Sequence, residues 1–123
     1  MSKQNRLIEQ FKKATERFEE ILKQPKTEII RDAAIKRFEL LFDLSWKVTK
    51  EWLEQNKGII CRSPKDCFRE AYQNGLIAYD DYWLQMTDWR NEAVHTYQEI
   101  FADELFEKLP EALKYFQALR EKL

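Results

Sequence analysis

The sequence predicts an all-α protein, an antiparallel bundle of four to five helices expected to pair as a homodimer. Apolar residues recur at alternating steps of three and four, the spacing that puts them on one side of a helix. Glycine occurs twice and proline three times in 123 residues, which leaves little material for turns between strands. Hydrophobic residues make up 44% of the chain and charged ones 35%, a balance suited to amphipathic helices on short connections.

The first helix is expected over residues 5–24, where Leu7, Phe11, Ala14, Phe18 and Ile21 form one stripe, and Pro25 stops it. Thr27 is placed to cap a second helix and Gly58 to close it in a left-handed turn, making this the longest element. Along it Ala34, Phe38, Leu41, Ser45, Val48 and Trp52 form one stripe, with Ile35, Phe42, Trp46 and Leu53 beside it. So wide an apolar arc serves the chain's own core on one side and points to a second subunit on the other, hence the expected dimer.

Ser63-Pro64-Lys65-Asp66 reads as the start of a short third helix that Asn74-Gly75 closes. Asp80 and Asp81 suit the positive end of a fourth, with Tyr82, Met86, Trp89 and Ala93 facing the core and its end near Val94 or His95. Leu105, Leu109, Ala112, Phe116, Leu119 and Leu123 keep the same rhythm in the last segment, with Pro110 as either a kink or a fresh start.

A chain of this length is expected to be a single domain over residues 1–123, with one core and one principal site. Twenty-one basic residues against twenty-two acidic ones give a net charge of −1, so no global positive field draws in nucleic acid and DNA binding is not expected. Cys61 and Cys67 match neither a C-x-x-C redox pair nor a zinc quartet, and two buried, reduced thiols are expected. The first residues carry charge early and hold no apolar run, from which a cytoplasmic protein without a membrane span is expected.

Chemistry centres on Arg90-Asn91-Glu92-Ala93-Val94-His95-Thr96-Tyr97. His95 is the sole histidine, which argues against a multi-histidine metal site within one chain, and there is no Gly-rich loop for a triphosphate. Arg90 offers a planar fork of donors suited to phosphate, and His95 titrates near neutrality and can move a proton. A five-residue step puts them about 140° apart on a continuous helix. They can therefore cooperate only if the helix ends before His95, or if a two-fold dimer gathers both pairs in one cleft. Two histidines at such a seam suffice for metal-independent RNA cleavage, one accepting the 2′-OH proton and one protonating the leaving oxygen, with Arg on the phosphorane.

Against RNA stand Asp80, Asp81, Asp88 and Glu92 near Arg90, which Arg62, Lys65 and Arg69 partly offset. Trp46, Trp52, Trp83 and Trp89 fall on or beside core stripes, where packing is the expected role rather than base stacking.

Residues 35–47, Ile-Lys-Arg-Phe-Glu-Leu-Leu-Phe-Asp-Leu-Ser-Trp-Lys, followed by Ser63-Pro64, Gly75-Leu76-Ile77 and Arg90-Asn91 to His95-Thr96-Tyr97, resemble one family. It is the HEPN-type nucleotidyltransferase substrate-binding protein family, whose HepT-like members partner a minimal nucleotidyltransferase, and the likeness runs in consistent order from about Arg31 to the C-terminus. The resemblance implies a dimeric helical bundle that binds nucleotide or presents an acceptor to a separately encoded nucleotidyltransferase. ATP and divalent metal would belong to that partner, with no cofactor in this chain. The same resemblance implies the alternative of an RNase toxin in a toxin-antitoxin pair, silenced when the partner adenylylates a tyrosine, here Tyr97. In that reading Arg90 and His95 are catalytic, and Arg90, Asn91, His95 and Tyr97 form the substrate-binding set.

Overall fold

The computed structural model describes residues 2–96 and 98–123. These contain five helices and no strand: α1 (Lys3–Leu22), α2 (Glu28–Lys57), α3 (Pro64–Gln73), α4 (Tyr82–His95) and α5 (Glu99–Lys122). No helix among the described residues is long and apolar enough to cross a membrane.

Side-chain hydroxyls fix three of the helix starts. Ser2, Thr27 and Ser63 accept from the backbone N–H three residues on, in Asn5, Ile30 and Asp66. The Ser2 cap starts α1 at Lys3, two residues before the expected start at Asn5, and α1 ends at Leu22 rather than at Gln24. Gly58 (φ 66°) and Gly75 (φ 81°) adopt the left-handed conformation that lets the chain leave α2 and α3.

The long α2 packs against each of the other four helices. It runs antiparallel to α1, as Phe18 near the end of α1 meets Phe38 while Lys3 at its start pairs with Glu51 farther along α2. Phe116 of α5 closes this group edge-on against Phe18 at 6.0 Å. A second aromatic run leads away from it, from Phe42 to Phe68 of α3 (5.8 Å) and on to a stacked Trp83 of α4 (4.5 Å).

That run revises the reading of the apolar arc. Phe42 and Leu53, on the second stripe of α2, are fully buried within the same chain. Trp46 and Trp52 pack partly against the core as well, so α3 and α4 cover part of this second stripe. Trp83 is buried beyond the expected face of α4 because that helix has two neighbours: Phe68 stacks on Trp83, and Tyr115 of α5 stacks on Tyr82. All four tryptophans pack on the core, as their positions predicted.

Two further expectations resolve. One helix runs through Pro110, so the proline is no fresh start; the fully buried Leu109 and Ala112 on either side hold the segment against the core and offset a backbone cost of about 3 kcal/mol. The expectation of reduced thiols is corrected. Cys61 and Cys67 are buried but joined in a disulfide, because the chain entering α3 folds back and brings their Cα atoms to 5.1 Å, within bridging range.

Candidate functional site

The N-terminal half of α2, the last turns of α4 and the start of α5 enclose an open cleft of about 400 Å³. Ile35, Lys36 and Glu39 line it from α2, Ala93 and Val94 from α4, and Phe101 and Ala102 from α5. Thr96 and Gln98 close one end beside Arg31, Asp32 and Glu99.

At that end Arg31 is the anchor. It is only 5% exposed, yet its donors are well matched with acceptors. Nη1 lies 2.7 Å from Glu99 and 3.1 Å from Asp103, while Nη2 and Nε both reach Asp32 at 2.9 and 3.0 Å. Hydrogen bonds that it donates to Glu99 first, then Asp103, hold its guanidinium well above the usual arginine range. In return Arg31, with Lys26 3.3 Å from the same carboxylate, holds Asp103 below the usual carboxylate range. This cluster pins the first turn of α5 to α2.

Arg90 does not itself line the cleft; it lies one helical turn before the Ala93 and Val94 that do. Its guanidinium sits 5.2 Å over the Phe42 ring, a cation–π contact that supports the charge without using a donor. Its Nε is buried and has no hydrogen-bond partner among the described residues. Such a group carries a desolvation penalty, which the Phe42 ring beneath the guanidinium offsets in part. Glu39 faces it closely enough for their charges to interact; burial nevertheless pushes the Glu39 carboxyl up, with Lys36 and Arg90 offsetting only part of the effect.

The other residues singled out by sequence do not gather here. α4 stays helical through His95 before Thr96 turns extended, so the helix does not end early enough to swing His95 toward Arg90. His95 and Asn91 are exposed while Arg90 turns inward, in keeping with their angular separation. Tyr97 lies outside the described residues. Of the charges nearby, Lys65 pairs with Asp88 at 2.7 Å, while Asp80 accepts from the Tyr82 N–H at 2.9 Å.

Arg31 and Glu39 were not among the candidates. Glu99 and Asp103, two acids one turn apart with only apolar residues between, were the signal that a buried cation lay opposite. Glu39 stands inside the tract that carries the family resemblance, but a lone acid on an amphipathic helix reads as a solvated position.

Three relatives bear on the site. A Haemophilus influenzae protein named "Probable ribonuclease HepT" is 33% identical over 94 residues, 73% of this chain; the matched region spans 64% of that protein's length. A crystal structure of a protein from Thermus thermophilus superposes with a TM-score of 0.81 at 32% identity, covering 89% of this chain and 94% of that one. A second Haemophilus influenzae structure, described as revealing the fold of a substrate binding domain of a nucleotidyltransferase, superposes at 0.83 with 26% identity, covering 94% and 97%. Residues 6–123 match the family described as nucleotidyltransferase substrate binding protein like, and this chain belongs to it.

Proposed function

We propose that this chain is the substrate-binding subunit of a two-component nucleotidyltransferase, holding a nucleotide or presenting an acceptor in the cleft between α2, α4 and α5. The observation that carries the reading is the open cleft itself, lined by Ala93 and Val94 of the helix that also carries Arg90, whose guanidinium rests on the Phe42 ring one turn earlier. A guanidinium propped on an aromatic ring with a donor to spare is suited to a phosphate oxygen. Family membership and the structural relative described as a substrate binding domain support the same role. ATP, divalent metal and the transfer chemistry belong to the partner nucleotidyltransferase in this proposal, and the pair works in the cytoplasm.

Titration calorimetry of AMP against the wild type and Arg90→Met tests it: affinity should fall at least about tenfold in the variant, as expected for loss of a charge-assisted hydrogen bond. Equal affinities would remove the reading. Co-expression with a minimal nucleotidyltransferase should yield a heteromeric complex, and two independently eluting species would count against the partnership.

A second reading is favoured by the relative named a ribonuclease and by the exposure of the lone His95 at the end of α4. In it the chain is a metal-independent RNase toxin of a toxin-antitoxin pair, working as a homodimer that sets the His95 of each copy near the Arg90 of the other. Adenylylation of Tyr97 by the partner would silence it by adding bulk and charge. Growth arrest on expression alone, relieved by His95→Ala, and a gain of one AMP mass dependent on Tyr97 are the expected results. Equal toxicity of wild type and variant would exclude it.

A further inference from the structure

Cys61 and Cys67 have no part in either reading above, yet their bond lies at a joint on which α2, α3 and α4 all depend. It ties the irregular chain leaving α2 to the first turn of α3, and with Leu53 of α2 it forms a small core of its own. The residue after Cys67 is Phe68, whose ring meets Phe42 of α2 at 5.8 Å and stacks on Trp83 of α4 at 4.5 Å. Phe42 in turn supports the Arg90 guanidinium, and Lys65 joins α3 to Asp88 of α4 at 2.7 Å. A helix of ten residues is too short to persist without such ties, so what fixes the start of α3 also steadies α4 and the cleft wall it supplies.

The surroundings of the bond suit it to opening and closing. The turn it spans is held independently: the Ser63 hydroxyl accepts from the Asp66 N–H, the Asp66 carboxylate accepts from the Arg62 N–H at 3.1 Å, and the Ser63 carbonyl accepts from the Cys67 N–H at 2.9 Å. These hydrogen bonds remain when the disulfide opens, so the two sulfurs stay near one another and can rejoin. Cys61 is covered, but it lies outside every helix, between the exposed Ile60 and Arg62, and the opening of a few residues uncovers it. Cys67 belongs to the first turn of α3, where the positive end of the helix favours a departing thiolate.

We infer that the Cys61–Cys67 disulfide is a redox-sensitive strap: a dithiol reductant opens it, α3 loosens from α2 and α4, and the α4 wall of the cleft loosens with it. A thiolate of the reductant attacks the Cys61 Sγ, the bond between the two cysteine sulfurs breaks, and Cys67 leaves as a thiolate that takes up a proton. The second thiol of the reductant then displaces Cys61, which takes up the other proton. The protein gains two electrons and two protons, and the reductant ends as its own disulfide. This device acts whatever the cleft binds.

The experiment treats the folded full chain with dithiothreitol, without denaturant, and follows iodoacetamide labelling by intact mass, backbone hydrogen exchange and thermal melting. Two added groups per chain should appear. Exchange should quicken at least about tenfold in α3 and rise in α4, while α1, which does not pack on α3, keeps its protection. The melting temperature should fall by at least about 5 °C, and oxidised dithiothreitol should restore it. The double variant Cys61→Ser, Cys67→Ser should match the reduced wild type and ignore the reagent. A bond that yields only in denaturant overturns the strap, as does reduction that leaves α3 and α4 exchange unchanged or loosens every helix alike. The wild-type arms need no substitution, so they decide the matter even where the double variant fails to fold.

Discussion

Arg31 lines the cleft and Arg90 stands one helical turn beyond its α4 wall, and the two differ in what they do with their donors. Arg31 is nearly enclosed, and three carboxylates from α2 and α5 bind it. Arg90 is half-buried, rests on the Phe42 ring and leaves its Nε unpartnered. A buried charge is tolerated when its donors are satisfied by partners whose own positions are fixed. Arg31 meets that condition from within the chain and therefore holds the structure together. Arg90 does not, and its Nε is left without an acceptor among the described residues. The lesson is that residue type and burial alone do not separate two buried arginines; the inventory of acceptors does.

The comparison breaks most readily through the same substitution at both ends. Arg31→Met should lower the melting temperature by about 5 °C or more, because Asp32, Glu99 and Asp103 are left facing one another with only Lys26 nearby. A thermal melt within about 1 °C of wild type would show that the cluster is not structural. Arg90→Met should leave the melt within about 2 °C of wild type, since it removes an unpaired donor and keeps an apolar contact with Phe42. A large drop there would place Arg90 with Arg31 and weaken its claim to a ligand.

A smaller effect should come from Asp103→Asn. Because Arg31 and Lys26 hold the Asp103 carboxyl below its unfolded value, its contribution is present above the ordinary carboxylate value of 3.8 and is lost as pH falls through the lowered one. The variant should melt about 2 °C below wild type at neutral pH, and the gap should close on acidification below 3.8. A gap independent of pH would assign the loss to packing rather than charge.

Glu39→Gln should give the smallest shift, with the opposite sign. A carboxyl raised above its unfolded value favours the fold when protonated, at pH below 4.5, and loses that advantage as pH rises through the raised value. Neutralising it should therefore raise the melting temperature at neutral pH by about 1 °C and less at acidic pH. A lower melting temperature at neutral pH would mean that Glu39 is a settled counter-charge to Arg90 rather than a carboxyl destabilised by burial.

The helices were legible because local rules agree with one another along most of this chain. Thr27 and Ser63 cap where their side chains and the following apolar rhythm predict, and Gly58 and Gly75 end their helices by the one backbone conformation glycine adopts freely. The end of α4 at His95 falls where the sequence placed it. The errors arise where distant residues meet. Cys61 and Cys67 form a bond that spacing does not reveal, because it depends on how the chain folds back before α3. The width of the second stripe of α2 can be read from sequence, whereas what covers Phe42 within the chain, Phe68 and the guanidinium of Arg90, is brought there by the fold.

The sequence by itself determined an all-helical chain and the likeness to its family, since periodicity and capping act over a few residues and a motif is read in order. The tertiary structure decided which charges are satisfied. Acceptors reach Arg31 from α5, far along the chain, while nothing among the described residues reaches the Nε of Arg90. Hydrogen bonds act over a few ångströms of space whatever the separation in sequence, so only the folded arrangement shows which donors find an acceptor.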